Sequence, residues 1–265
     1  MKHLINIIEY LEGNHHYRQV DEMIKIALDM RDVLTEDNQQ GSGVYGTFYS
    51  DFSMEEKQKL KNQLGNVPEN VGVKQYKIDR SNKVVEIQNI KENLAFMYIA
   101  PYIAANTDLK TPVYNGSISL SGMISNRINI TQKMPGVSIL QLMDKTTLPG
   151  SVQYDIIFDT NRKIKQKLES IGVYWSDVHK DNYLIDNNAA KEFKTYIENN
   201  PELMEYNDFD LSRNAALFDF GGFNVYDYTP PAMQLLELKN KLEKSKSNSI
   251  ISSVIVAIQN MIYDS

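Results

Sequence analysis

The order of predicted elements along the chain indicates an α+β protein. Its first half alternates β-rich segments with one long amphipathic helix, and its second half is mainly helical with a few short strands. Runs of strands followed by runs of helices are typical of α+β folds, and here they predict two lobes. The chain has 265 residues and 42% apolar content, which is enough to bury one large domain or two lobes.

The first 32 residues are predicted to form an N-terminal helical extension. Apolar residues recur at helical spacing over 4–11, where Gly13 ends the pattern, and again over 20–28. Stripes of this kind most commonly serve packing. We therefore treat 1–32 as a separate extension that precedes the first strands.

Strands dominate the next part of the chain. The segments 44–49 and 71–78 are rich in β-branched and aromatic residues, which indicates strands. The polar stretch 53–70 between them indicates an inserted loop or helix. A helix is predicted over 82–100, where Pro101 should stop it, and short apolar runs further on predict additional strands.

The second half is predicted to be mainly helical. Apolar residues share one helical face over 154–171, and Gly172 is well placed as the C-terminal cap. Two short strand-like runs follow at 183–185 and 216–218, with a polar segment between them. Two further helical patterns come after Pro230.

Composition argues against several classes of protein. The net charge of −6 lacks the basic surplus that nonspecific nucleic-acid binding needs, so we expect no nucleic-acid partner. Without cysteine, the chain has neither a disulfide framework nor a thiolate metal site. We find no signal peptide and no apolar stretch near the roughly 18 residues of a membrane span. We expect a cytoplasmic protein with no membrane partner. The abundance of Asn, Ile and Lys favours an AT-rich bacterial or phage genome, and a phage protein would act in the host cytoplasm.

A glycine-rich segment, GSGVYG, occupies 41–46. Glycines let a backbone turn tightly and approach phosphate groups with no side chain in the way. A dinucleotide-binding loop would be followed by a helix, whereas the sequence after this segment continues as a strand. The predicted nucleotide-binding residues of the segment are Gly41, Ser42, Gly43, Val44 and Gly46.

Lys74 lies in the run VGVK of the next predicted strand. An ammonium group on a rigid strand can reach the α- and β-phosphates of a nucleotide. Lys77 is the fallback for this role, and its register places it on the opposite face of the strand.

Two polar segments of the second half carry oxygen-bearing side chains beside short predicted strands. Asp177 and Asn182 stand five positions apart just before the run 183–185, and Asp219 directly follows the run 216–218. A carboxylate at Asp177 could orient an attacking hydroxyl and accept its proton. The amide oxygen of Asn182 and the carboxylate of Asp219 could bind Mg²⁺, which takes oxygen ligands. The alternative for each segment is an ordinary polar turn.

Together, in this order, the motifs resemble those of the protein-kinase-like superfamily over 33–224. They are a glycine turn between strands, a strand lysine, Asp-x-x-x-x-Asn and Asp-Phe-Gly. The resemblance implies a bilobal protein-kinase-like fold. A small β-rich N-lobe (33–135) would carry one key helix, and a short, mainly helical C-lobe (136–265) would complete a single kinase-like domain.

The resemblance also implies cofactors and roles. ATP and Mg²⁺ would bind between the motifs, with Asp177 as the catalytic carboxylate and with Asn182 and Asp219 on the metal. Gly72 takes the place of the small residue that faces adenine. A glutamate of the predicted helix would hold Lys74 at the phosphates, and Glu92 is our choice, with Glu86 as the alternative.

The sequence departs from the pattern at several positions. His179 stands where most protein kinases have lysine. Histidine at this position is common in the aminoglycoside and choline phosphotransferase branch. Trp175 and Ser176 replace the His-Arg pair before the catalytic Asp, so the usual phosphate-binding switch is missing. Only the 46 residues 220–265 follow Asp219, which resembles truncated atypical kinases such as the RIO family.

These departures leave the acceptor open. The leading hypothesis is a kinase acting on a Ser/Thr hydroxyl of a protein, because the short C-terminal region lacks the platform that frames a small-molecule pocket. A small-molecule kinase is the second hypothesis, favoured by His179. A nucleotide-binding pseudokinase module is the third, and the four retained residues Lys74, Asp177, Asn182 and Asp219 argue against it.

Overall fold

The computed structural model describes residues 33–42, 46–64, 67–76, 83–119, 127–200, 209–244 and 249–263. The predicted extension 1–32 lies outside them. Within the described residues the protein is α+β, as its sequence predicts. None of the helices in this part of the chain combines the length and the apolar character needed to cross a membrane.

The chain divides into two compact units, each assembled from separate stretches of sequence. Among the described residues, the first unit contains those of 33–93, 113–133 and 238–259. The second contains those of 94–112, 134–237 and 260–263. The first unit holds a five-stranded sheet, and the second holds two three-stranded sheets.

The sheet of the first unit has the strand order β1-β2-β3-β5-β4, and each neighbouring pair is antiparallel. Its central strand β3 is therefore covered on both edges, which is a rigid place for a functional side chain. The strands are β1 (Gln39–Ser42), β2 (Gly46–Tyr49), β3 (Val71–Tyr76), β4 (Tyr114–Ser119) and β5 (Arg127–Gln132).

One face of this sheet carries the hydrophobic core of the first unit. Val73 of β3 lies opposite Ile130 of β5, and both are buried in a cluster with Phe52. Because side chains alternate along a strand, the residues between these positions point to the other face. Lys74 and its cross-strand neighbour Asn129 therefore share the face opposite to the core.

Helix α1 (Met54–Leu64) lies within the segment that the sequence left open as a loop or a helix. It begins with a capping box, in which the Glu56 N–H donates to Ser53 Oγ at 3.2 Å and the Ser53 N–H donates to the Glu56 carboxylate at 2.7 Å. Leu60 of this helix is fully buried in the core cluster. The inserted segment is thus part of the packed core.

We expect Leu60→Ala to lower the free energy of unfolding by about 2–5 kcal/mol, because it removes buried methyl groups and leaves a cavity. Met54→Ala on the same helix is the matched control, since Met54 is 82% exposed and should change stability by less than about 0.5 kcal/mol. Urea denaturation of both variants measures the difference. Equal losses would show that α1 does not anchor to the core through Leu60.

The long predicted helix changes geometry along its length. Helix α2 (Lys83–Leu94) runs into a π-helical segment (Ala95–Ile99), which runs into helix α3 (Ala100–Asn106). The expectation that Pro101 stops the helix is wrong, because Pro101 lies in the first turn of α3. Proline lacks an N–H and cannot donate to the carbonyl four residues earlier, so the preceding turn widens to a π-type pattern instead of ending.

The second half contains most of the remaining helices and two small sheets, with the orders β6-β8-β9 and β11-β10-β7. The helices are α4 (Ile139–Met143), α5 (Gly150–Glu169), α6 (Asn187–Asn199), α7 (Pro230–Glu243) and α8 (Ser249–Gln259). The strands are β6 (Val137–Ser138), β7 (Val173–Trp175), β8 (Tyr183–Ile185), β9 (Ala216–Leu217), β10 (Phe223–Tyr226) and β11 (Ile262–Tyr263). The C-cap of α5 is Ser170, so the prediction that Gly172 caps this helix is wrong, and Gly172 lies two residues further on with φ +75°.

Helix α6 lies in the polar segment that separates β8 from β9. Asp186 caps its start by accepting hydrogen bonds from the backbone N–H groups of Asn188 and Ala189 at 2.9 and 3.4 Å. Phe193 and Ile197 bury its apolar side. The described part of this segment is therefore folded onto the second unit.

Candidate active site

The described residues of the glycine-rich segment belong to two antiparallel strands, β1 and β2. Ser42 of β1 lies opposite Thr47 of β2, and the chain leaves the segment as a strand, which a dinucleotide-binding loop would not do. A Cβ at Gly46 would lie 2.7 Å from the carbonyl oxygen of Gln75, so only glycine fits there without moving β3. Gly41 ends β1 together with Ser42, whereas Gly43 and Val44 lie outside the described residues.

Lys74 on β3 forms an ion pair with Glu92 of α2. Its Nζ donates to both carboxylate oxygens of Glu92, at 3.0 and 2.9 Å. The Glu92 side chain is 2% exposed and that of Lys74 is 22% exposed, so the pair lies largely out of water. Of the two glutamates that the sequence offered, Glu92 makes this contact, and Glu86 lies six residues earlier on the same helix. The fallback Lys77 lies outside the described residues.

One aromatic ring lies near the Lys74 ammonium group and another lies beside Gly72. The Lys74 Nζ lies 5.4 Å from the centre of the Tyr76 ring, close enough for a cation–π interaction. A Cβ at Gly72 would lie 2.5 Å from the Phe48 ring, so this ring fills the space that a side chain at Gly72 would need. Phe48 was not among the predicted site residues. Its position on the strand after the glycines, directly opposite Lys74, is the signal that points to it.

Asn129 is a second residue that sequence reasoning missed. It is fully buried opposite Lys74 on β5, and its Nδ2 donates to the Tyr76 hydroxyl oxygen at 3.2 Å. Its Oδ1 has no hydrogen-bond partner within the described residues. The alternation of polar residues with Ile128 and Ile130 places Asn129 on the same face as Lys74, and that alternation is visible in the sequence.

The two motifs of the second unit occupy neighbouring loops. The loop 176–182 joins β7 to β8, and the loop 218–222 joins β9 to β10. Because β7 pairs with β10 and β8 pairs with β9, both loops lie where the two small sheets meet. A Cβ at Gly222 would lie 3.1 Å from the Asp177 Cβ, so the loops are in van der Waals contact.

Asn182 holds the Asp177 carboxylate in place. Its Nδ2 donates to the Asp177 backbone carbonyl at 3.0 Å and to Asp177 Oδ2 at 2.8 Å. Asn182 is buried, whereas the Asp177 side chain is 55% exposed and accessible to a reactant. Both N–H bonds of the amide therefore point toward Asp177, and the amide oxygen is the atom of this side chain that could bind a metal.

Asp219 lies beside this pair. Its Oδ1 accepts a hydrogen bond from the Gly221 N–H at 3.2 Å, which fixes the turn after β9. The preceding Phe218 donates its backbone N–H to the Asn182 carbonyl at 3.4 Å. The structure thus brings Asp177, Asn182 and Asp219 together in one small region of the second unit.

A stack of aromatic rings packs next to the two loops. Phe220, fully buried, packs on Phe96 at 4.8 Å and on Phe223 at 4.5 Å between ring centres. Phe223 in turn stacks on Trp175, the sole tryptophan, at 4.7 Å between ring centres. This stack fixes the residues immediately next to Asp219 and Asp177.

Burial and local hydrogen bonds shift the pKa values of two side chains near the loops. Burial raises the pKa of the Tyr183 hydroxyl, with a further contribution from the Asp181 carboxylate, so this residue stays neutral. The hydrogen bond from Lys110 lowers the pKa of Asp186, which keeps the cap of α6 ionised.

The donor set of the second unit suits a hard cation that is completed by a ligand. No group of three or more His, Cys, Asp or Glu side chains that could hold a metal occurs among the described residues. Mg²⁺ does not need one, because it commonly binds one or two protein oxygens together with phosphate oxygens and water. The Asp219 carboxylate and the Asn182 amide oxygen fit that requirement.

No protein-family model and no curated protein matches this sequence. Its function must therefore be inferred from the residues and contacts of the two units. Three kinds of group are available for that inference: a paired cation on a central strand, a held but exposed carboxylate, and an oxygen pair for a metal.

Proposed function

We propose that this chain is an ATP-dependent phosphotransferase with a bilobal protein-kinase-like fold. It transfers the γ-phosphate of Mg·ATP to a hydroxyl group, and we favour a serine or threonine hydroxyl of a protein. The observation that carries the proposal is the pair between Lys74 on the third strand and Glu92 on the following helix. A strand lysine held by a helix glutamate is the arrangement that positions the phosphates of ATP in protein kinases.

Each residue has a defined role in this proposal. Glu92 holds the Lys74 ammonium, which binds the α- and β-phosphates of ATP. The glycine-rich segment 41–46 would cover the phosphates, because glycine brings no side chain between the backbone and a phosphate group. Asp219 and Asn182 would hold Mg²⁺, which neutralises phosphate charge when it is bound.

Asp177 acts on the acceptor. Its carboxylate orients the attacking hydroxyl and takes the hydroxyl proton as the new bond from oxygen to the γ-phosphorus forms. The bond from the γ-phosphorus to the bridging oxygen of ADP breaks, and ADP leaves with the electron pair. Exposure of the Asp177 side chain leaves room for the acceptor, while the contact with Asn182 keeps the carboxylate in a single orientation.

A small-molecule hydroxyl is the second candidate acceptor. His179 favours it, since histidine at this position of the loop is common in the aminoglycoside and choline phosphotransferase branch. The 55% exposure of the Asp177 side chain is compatible with either kind of acceptor. Incubating the purified protein with γ-labelled ATP and either a cell lysate or a panel of amino alcohols and aminoglycosides separates the two. A pseudokinase would bind ATP and label neither.

We expect Asp219→Asn to weaken Mg·ATP binding by at least about tenfold, because it removes the only carboxylate that the proposal assigns to the metal. Isothermal titration calorimetry with and without Mg²⁺ measures the effect. Asp155→Asn, an exposed carboxylate on α5, is the matched control and should bind as the wild type does. An unchanged Mg²⁺ dependence in Asp219→Asn would remove Asp219 from the metal site.

A further inference from the structure

His179 contacts the carboxylate that the proposed reaction uses. Its Nε2 lies 3.3 Å from Asp177 Oδ1, while Asn182 Nδ2 lies 2.8 Å from Asp177 Oδ2. The two oxygens of one carboxylate therefore have different neighbours on different side chains. His179 and Asn182 also begin and end a tight turn, closed by a hydrogen bond from the Asn182 N–H to the His179 carbonyl at 3.0 Å.

The other ring nitrogen determines which proton His179 carries. The backbone N–H of Asp181 donates to His179 Nδ1 at 3.2 Å, so Nδ1 is the acceptor in the neutral ring. A neutral imidazole with an accepting Nδ1 carries its proton on Nε2. Nε2–H is then a donor, and Asp177 Oδ1 is the carboxylate oxygen within its reach.

Asn182 Nδ2 and His179 Nε2 lie 3.0 Å apart, and in this tautomer both atoms are donors. The two N–H bonds of the Asn182 amide are already directed to the Asp177 carbonyl and to Asp177 Oδ2. The approach therefore arises because both donors converge on one carboxylate.

We propose that His179 is a positioning residue that holds the Asp177 carboxylate through its Nε2–H, with the tautomer set by the Asp181 backbone. The role of Asp177 as the base of a phosphotransferase is the proposed function on which this inference rests. A lysine in this place could donate but could not accept from the Asp181 N–H. Histidine therefore links the turn and the carboxylate in a way that lysine cannot.

Two variants distinguish the roles of the two ring nitrogens of His179. In His179→Gln the side-chain amide nitrogen falls near the position of Nε2 and keeps a donor for Asp177. In His179→Asn the amide oxygen falls near Nδ1 and keeps an acceptor for Asp181, but no donor reaches Asp177. We expect the asparagine variant to lose about ten- to a hundredfold in kcat, because Asp177 Oδ1 loses its donor and only the Asn182 contact to Oδ2 remains, and the glutamine variant to retain most of the turnover. The KM for ATP should stay within a few-fold in both.

Long-range ¹H–¹⁵N NMR of the imidazoles tests the same contact without ATP. The chain has four histidines, and His179→Asn assigns the signal by its loss. We expect the Nε2–H tautomer for His179 at a pH where the ring is neutral. An Nδ1–H tautomer would overturn the proposal. So would equal loss of kcat in the two variants, or a rise in the KM for ATP with kcat unchanged, which would place His179 on the nucleotide.

The NMR measurement tests the positioning role of His179 independently of the proposed phosphotransferase activity. If the wild type transfers no phosphate, the proposed function fails, and the tautomer still decides whether His179 donates to Asp177. If it transfers phosphate and the ring is the Nδ1–H tautomer, the function stands and the positioning role fails.

Discussion

Replacing Asp177 with asparagine should lower kcat by roughly 10²–10⁴-fold, the usual cost of losing a general base. Asparagine keeps the size of the side chain and one acceptor oxygen, but it cannot take the proton of the attacking hydroxyl. ATP affinity should remain within a few-fold, because the proposal assigns Asp177 to the acceptor and not to the nucleotide. Rapid-mixing phosphotransfer assays, together with calorimetry of Mg·ATP, measure the two quantities separately.

Asp155→Asn controls for the loss of a carboxylate elsewhere in the same unit, since Asp155 is exposed on α5. Its turnover should equal that of the wild type. If Asp177→Asn also turned over at nearly the wild-type rate, Asp177 would have no part in the chemistry. The kinase interpretation of the loop 176–182 would then be lost with it.

Replacing Lys74 with methionine should reduce turnover by at least about a hundredfold, because the phosphates lose the cation that orients them. It should also destabilise the first unit. The Glu92 carboxylate is almost fully buried, and the substitution removes the ammonium group that is paired with it. Breaking a buried pair in this way typically costs about 3–5 kcal/mol. Denaturation curves and ATP turnover report the two effects independently.

The double variant Lys74→Met/Glu92→Leu distinguishes catalysis from stability. Removing both partners eliminates the buried negative charge, so much of the lost stability should return, whereas turnover should not. Lys77→Met is the matched lysine control and should change turnover far less than Lys74→Met does. If Lys77→Met were the damaging change, the strand register that places Lys74 in the site would be the wrong one for function.

Local sequence patterns predicted those features that depend on near neighbours. The α+β order, the strand after the glycines and the strand that holds Lys74 follow from side-chain periodicity and backbone preference. The spacing of Asp177 and Asn182 is also local, since a turn closed between His179 and Asn182 returns the chain to the same carboxylate. These features need only a few consecutive residues, so a single sequence carries enough information to predict them.

The tertiary structure decided what depends on packing between distant segments. Glu92 rather than Glu86 meets Lys74 because the rotation of α2 on the sheet is set by its buried side, and helical periodicity alone allows either residue. Helix α1 of the polar segment 53–70 packs into the core because Leu60 is buried in a cluster. Three strands of the sheet and the residues flanking them form this cluster. The helix continues through Pro101 because the π-helical turn before it accommodates the hydrogen bond that proline cannot donate. The physical reason is common to all three: hydrophobic burial and backbone pairing between segments far apart in sequence outweigh local propensities of a few tenths of a kcal/mol per residue.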